Sequence, residues 1–121
     1  MKNTFAIRGA TTVEMDSPAQ VDEAVCELFD RVLEENSLAV EDIAFILLSQ
    51  THDIRTRNAA TSLRKTGRVD DVPLFCVQEA EVNGMMERVV RILVLVGRPP
   101  EGEAHMIYLR RASGLRPDLK K

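Results

Sequence analysis

Residues 72–96, V-P-L-F-C-V-Q-E-A-E-V-N-G-M-M-E-R-V-V-R-I-L-V-L-V, constrain this chain more than any other stretch. They hold two β-type apolar runs, 72–77 and 89–96, joined by a polar connection that contains Asn83-Gly84. The second run has a charge inside it. Strand alternation puts Arg91 on one face with Leu93 and Leu95, and Val90, Ile92 and Val94 on the other. A guanidinium cannot shed its charge, and leaving it unpaired in a sheet interior costs several kcal/mol, so an anion should meet it. Glu79, Glu81 and an external anion are the candidates. The plainer alternative is a strand charge that lies at an edge or snorkels to water.

With 121 residues, 45% of them hydrophobic, and no break in composition, the expectation is a single domain over 1–121 with a modest core, one that association would help to bury. The formal charge of −3 argues against nucleic acid as a default partner, since phosphate binding needs a net basic face, although local clusters can still bind small anions. Cys26 and Cys76 match no zinc or redox spacing, which fits a reducing, cytoplasmic setting. No signal-type apolar segment and no bilayer-length run is present, so no membrane partner is expected.

Along the chain, 5–13 reads as a strand with Ala6, Arg8 and Ala10 on one side and Phe5 and Ile7 on the other. Arg8 is a second arginine inside a strand, and Gly9 beside it permits a bulge or a close backbone approach. Ser17 as N-cap, Pro18 at the first helical position and Gln20 closing a capping box start a long helix that ends near Asn36. Its apolar stripe is Val21, Ala24, Val25, Leu28, Phe29, Val32 and Leu33; its acidic face is expected to be solvated rather than metal-binding, with Cys26 an inert thiol beside the stripe.

The nearly continuous apolar run 43–51 suits a central strand covered on both faces. A loop with His52, Asp53, Arg55 and Arg57 follows, where turn chemistry outweighs an acid/base pair because sequence neighbours on a loop seldom face one another. Asn58 is placed to cap a short helix through Ala59, Ala60, Leu63 and Arg64, closed by Gly67. After a turn-rich stretch at 97–102, residues 105–110 form a further strand with Met106 and Tyr108 on one face. The tail, about 113–121, is stopped by Pro117 and expected to fray. The order strand, long helix, strand, short helix, then three strands gives an α+β fold: a mixed β-sheet with helices packed on one face.

Five segments, R-G-A-T-T-V-E at 8–14, C-V-Q-E at 76–79, R-V-V-R-I-L at 88–93, I-Y-L at 107–109 and L-R-P-D-L at 115–119, together resemble the monofunctional AroH-type chorismate mutases of bacteria. The resemblance runs over nearly the whole chain, in order. It implies an AroH-like (ferredoxin-like, YjgF-like) subunit in a homotrimeric pseudo-α/β barrel, with active sites at subunit interfaces. It also implies conversion of chorismate to prephenate in aromatic amino acid biosynthesis, a pericyclic step that needs no cofactor, metal or covalent intermediate.

The roles that follow from the resemblance are specific. Arg91 matches the cation at the ether oxygen, where negative charge grows in the transition state, so a fixed guanidinium there stabilises that state over the ground state. Arg8 and Tyr108 match the groups that hold the side-chain carboxylate and keep the reactive conformer folded over the ring. Glu79 matches the carboxylate that accepts from the ring hydroxyl, with Cys76 beside it. Leu74 and Phe75 fall with them as substrate-binding positions. Arg64, Leu115 and Arg116 match residues at the pocket mouth, for steering and closure.

The match departs at 52–61. Family members carry T-P-D-L followed by F-P-A, with the phenylalanine lining the pocket; this chain reads T-H-D-I-R-T-R-N-A-A-T. Asn58 stands for the aromatic wall, Ala59 for the proline, and Arg55 and Arg57 add positive charge. Two readings are drift in a rim loop and an altered substrate, such as a modified chorismate whose ring substituent Asn58 would bond. A third, of another class, is a non-catalytic small-molecule-binding trimer of the same architecture.

Overall fold

The computed structural model describes residues 3–116. The elements are β1 (Phe5–Thr12), α1 (Pro18–Glu35), a 3-10 turn (Val40–Asp42), β2 (Ile43–Gln50), α2 (Ala59–Arg64), β3 (Leu74–Gln78), β4 (Val89–Val96), β5 (Ile107–Tyr108) and a 3-10 helix (Arg110–Gly114). The strands form one mixed five-stranded sheet in the order β3-β2-β4-β1-β5. β4 runs antiparallel to both β1 and β2, while β3 and β5 lie parallel to β2 and β1 at the two edges. The α+β reading with helices on one face holds.

Helix α1 starts as its sequence requires. Ser17 accepts the Gln20 N–H at 3.2 Å, but the return arm differs from a standard capping box: Gln20 Oε1 accepts from Met15 N–H, two residues before the cap. The stripe Val21, Ala24, Val25, Leu28, Phe29, Val32 and Leu33 is buried against Ile7 of β1, Ile46 and Leu48 of β2, and Val90, Ile92 and Val94 of β4. Each fully buried side chain of this size contributes about 1.5–3 kcal/mol by leaving water. Gly9 lets β5 dock: a Cβ there would lie 2.7 Å from the Ile107 carbonyl oxygen and 3.1 Å from Leu28 Cδ1. Of the two uses foreseen for this glycine, close approach is the one realised.

Several expectations are corrected. β4, not β2, is the central strand, and β2 is covered on one face only: Ile46 and Leu48 are buried whereas Phe45 is exposed and Leu47 and Ser49 half-buried. The run expected at 72–77 pairs only from Leu74 to Gln78; the Pro73 carbonyl accepts from Ile46, but proline has no N–H for the ladder. β5 shrinks to Ile107–Tyr108 because Arg110 takes a left-handed backbone, φ +54°, which turns the chain into the 3-10 helix.

The acidic face of α1 is not simply solvated either. Asp22 pairs with Arg57 and Lys65, Asp30 with Arg68, and Glu23 and Glu27 with Arg110. No group of acids, histidines and cysteines able to hold a metal occurs among the described residues, and no helix there is long and apolar enough to cross a membrane. Pro117, Asp118, Leu119 and the two terminal lysines, which the sequence reading assigned to a fraying tail, lie outside the described residues.

Candidate functional site

The uncovered face of the sheet carries the unusual residues, and the register sets them in two rows. Ser49 of β2 pairs with Arg91 of β4, Arg91 with Ala10 of β1, and Ala10 with Tyr108 of β5. Two residues along the strands, Phe75 pairs with Leu47, Leu47 with Leu93, and Leu93 with Arg8. Partners across a ladder share a face, so Arg8, Leu47, Ser49, Arg91, Leu93 and Tyr108 converge by construction. They line one cavity of about 190 Å³. Ala10 is the small residue between Arg91 and Tyr108 in the register.

The question posed by a charge inside β4 is answered by Glu79. Arg91 Nε donates to Glu79 Oε2 at 2.9 Å, and Ser49 Oγ donates to the same oxygen at 2.8 Å. Glu79 itself is tied down by its backbone N–H, which donates to the Gln50 carbonyl at 2.9 Å. Its side chain is 15% exposed, against 43% for Arg91. The second candidate, Glu81, meets His52 Nε2 instead, at 2.9 Å. Asp53, in turn, takes the Thr51 hydroxyl and the Arg88 backbone N–H, so His52 and Asp53 do not form an acid/base pair.

This arrangement leaves chemistry unused. Only Nε of Arg91 has a protein partner among the described residues, so both terminal nitrogens of the fork are free. The Arg8 guanidinium has no acidic partner among them at all, and Glu79 Oε1 makes no hydrogen bond there. Two free cationic forks, one free carboxylate oxygen and one phenol around a small cavity suit an organic anion that also carries a hydroxyl. The 3-10 helix packs on the same face of the sheet: Ala112 clusters with Ala10 and Val89, and Tyr108, Met86 and Leu115 pack against them. Leu115 and Tyr108 thus pack against one cluster, and Arg116 follows Leu115 in the chain.

The remaining sequence-predicted residues are not brought to this cavity. Cys76 pairs with Leu48, which pairs with Ile92, so its thiol lies on the helix-covered face, opposite Arg91. Burial pushes the Cys76 thiol up, against the pull of the Ala60 and Ala59 amides, which keeps it protonated. Leu74 shares that covered face, whereas Phe75, at 71% exposure, is on the open one. Asn58 caps α2 by accepting the Ala60 N–H at 2.8 Å, and Arg64 donates to the Leu74 carbonyl at 3.2 Å. These five residues form a second group along α2 and the β3 edge.

The extra charge expected at the rim is also redirected. Arg57 turns back to Asp22 of α1, and Arg55 uses its backbone N–H on Asp16. Sequence reasoning missed Ser49 and Gln50; the polar end of an apolar strand was the available signal, and only the register gives it meaning. Two larger hollows carry no such chemistry. One, of about 320 Å³, is a loop hollow where Arg98 already meets Asp42 and Phe5; the other, of about 370 Å³, is lined by Glu41, Asp70 and Asp71.

A five-stranded mixed sheet with helices on one face and an arginine-lined cavity on the other defines a small α+β protein with a site suited to an organic anion. The particular family follows from comparison with known proteins. The chain matches the chorismate mutase type I family over residues 4–119 and belongs to it, which makes it an isomerase. It is 34% identical over 114 residues to chorismate mutase AroH of Bacillus subtilis (strain 168), covering 93% of this chain and 90% of that one. Against chorismate mutase AroH of Thermus thermophilus it is 37% identical over 116 residues, 94% of each chain. Its fold superposes on a solved chorismate mutase from Clostridium thermocellum with a TM-score of 0.85 at 28% identity, covering 91% of this chain and 98% of the other.

Proposed function

We propose that this enzyme converts chorismate to prephenate, in aromatic amino acid biosynthesis, and that Arg91 supplies the decisive electrostatic term. The observation that carries the reading is the half-used guanidinium: Nε fixed on Glu79, both terminal N–H₂ groups free toward the cavity. In the rearrangement the C–O bond of the enolpyruvyl ether lengthens ahead of C–C bond formation, and negative charge grows on the ether oxygen. A guanidinium already oriented by Glu79 meets that charge without reorganising, so it stabilises the transition state more than the bound substrate. Arg8 and Tyr108 hold the side-chain carboxylate and keep the two reacting carbons near one another. The free oxygen Oε1 of Glu79 accepts from the ring hydroxyl. Protons and electrons need no other carrier, since bonds break and form within one molecule.

The second group of residues completes the site in an assembly. Arg8, Glu79, Arg91, Tyr108 and Leu115 come from one subunit, and Asn58, Arg64, Leu74, Phe75 and Cys76 from its neighbour in a homotrimer. Support comes from the separation of the two groups within one chain and from the apolar side chains left open on the sheet: Phe75 at 71% exposure, Val77 at 44% and Phe45 at 38%.

The test is an assay of the purified protein with chorismate, following loss of its absorbance and confirming prephenate by acid conversion to phenylpyruvate. Turnover that survives chelator and drops by about 10²–10³-fold or more in Arg91→Ala supports the assignment. A folded protein that leaves chorismate unchanged, or an Arg91→Ala variant as active as the parent, sinks it. Sedimentation equilibrium decides the trimer separately.

A further inference from the structure

Gln50 ends β2 next to Ser49 and, by alternation, turns to the other side of the sheet. Its amide is saturated. Nε2 donates to the carbonyls of Ile54 at 3.0 Å and Arg57 at 3.1 Å. Oε1 accepts the Ala59 N–H at 2.8 Å, and the Cys76 thiol donates to the same oxygen at 3.3 Å. One side chain therefore ties together the middle and the end of the loop before α2, the first turn of α2, and the β3 thiol.

The bond to Ala59 carries the argument. Ala59 is the first residue of α2, the helical position proline favours, and Asn58 is extended at φ −77°, ψ 126°, the conformation a following proline imposes. The backbone is shaped for proline, yet a proline at 59 has no N–H to give, and its ring carbon would crowd the Gln50 oxygen. An alanine whose N–H is met by Gln50 and a proline without that glutamine are two ways of fixing one conformation. Gln50 is thus the structural partner of the N–H that alanine keeps at position 59.

We infer that Gln50 is a positioning residue for the catalysed reaction: its amide, in place of a proline ring, fixes residues 54–59 and the Cys76 side chain, the part of the site that carries Asn58 and Cys76. The kinetic consequence rests on the proposed function; the structural clamp does not.

The experiment is a double-mutant cycle on the full chain with Gln50→Ala, Ala59→Pro and the pair, read by turnover of chorismate and by hydrogen exchange of the peptide spanning 54–60. Gln50→Ala is expected to lower kcat/KM about tenfold and to speed exchange in that peptide about tenfold, with β4 unaffected. Ala59→Pro alone is impaired too, because the ring crowds the Gln50 oxygen and leaves it only the weak Cys76 thiol donor. The pair recovers both readouts to within about threefold of the parent. Should Gln50→Ala fail to fold, recovery in the pair still decides. A Gln50→Ala protein that loses only thermal stability, with kcat/KM and local exchange within about twofold of the parent, overturns the inference, as does a pair no better than Gln50→Ala. A parent protein without turnover would count against the proposed function, and exchange at 54–60 would then decide the clamp by itself.

Discussion

Ser49 and Arg91 face each other across the β2–β4 ladder, and both donate to the same oxygen of Glu79. The shared acceptor holds the carboxylate in one orientation. It also stops Glu79 from closing a two-point pair with the arginine fork, which would withdraw the terminal nitrogens from the cavity. Ser49→Ala is expected to lower kcat/KM about tenfold, mainly through kcat, while Ser49→Thr keeps activity because its hydroxyl can donate in the same place. In a Glu79→Gln background Ser49→Ala should add little, since both act through one group. Full additivity in steady-state kinetics would mean that Ser49 works some other way.

Arg91→Lys separates shape from charge. An ammonium keeps the charge but cannot hold Glu79 with one nitrogen and bridge two substrate oxygens with two others. Turnover is expected to fall by about 10²-fold or more. Binding of a dicarboxylate analogue, measured by calorimetry, should remain detectable through Arg8 and the retained charge. A lysine variant with near-parental kcat would show that charge alone is sufficient.

Gly9 allows β5 to approach, so Gly9→Ala tests how tightly the phenol is placed. The new methyl would lie 2.7 Å from a backbone oxygen, which cannot rotate away. The expected cost is about 1–3 kcal/mol of stability, read as a lower urea midpoint. Because Tyr108 follows Ile107 on that strand, activity should fall beyond what the loss of folded protein explains.

The ion-pair cluster on α1 gives a pH signature. Partial burial pushes the Asp22 carboxyl up, but the Ser62 hydroxyl, the Lys65 ammonium and Arg57 together hold it below its ordinary value of 3.8. A carboxyl lowered in the folded state binds protons more weakly than in the unfolded chain. Its stabilisation is therefore complete above the unfolded value and is lost as pH falls through the folded one. Urea midpoints of Asp22→Asn and the parent should differ at neutral pH and converge in acid below about pH 3.8. A constant gap across that range would assign the effect to hydrogen bonding rather than charge.

Much of this was written in local pattern. The parity of β4 separates Arg91 from Val90 and Ile92 without any structure, and the physics of an unpaired guanidinium calls for an anion, with Glu79, Glu81 and an external anion as candidates, of which Glu79 is the partner found. Ser17, Pro18 and the stripe from Val21 to Leu33 define α1 in the same way. What escaped depends on register between distant segments. Cys76 sits close to Glu79 in sequence, yet its pairing with Leu48 sends the thiol to the covered face. Gln50 looks like the polar end of a strand until the loop at 54–59 folds back over it. The acidic face of α1 reads as solvated because its partners, Arg57, Lys65, Arg68 and Arg110, come from three other parts of the chain.

The strand order has a consequence for how the molecule comes into being. β1 can finish its ladder only with β4, and its outer edge is met by Tyr108, 98 residues after Ala10 (108 − 10 = 98). On a ribosome Arg8 emerges well before Arg91 and Tyr108, and it waits, unmatched, until their strands have followed. Pairing at such sequence separation is slow to nucleate, because loop closure costs entropy before any contact repays it. The cavity is therefore a late product of folding, and a nascent chain halted before β4 would hold α1 and its stripe without an active face.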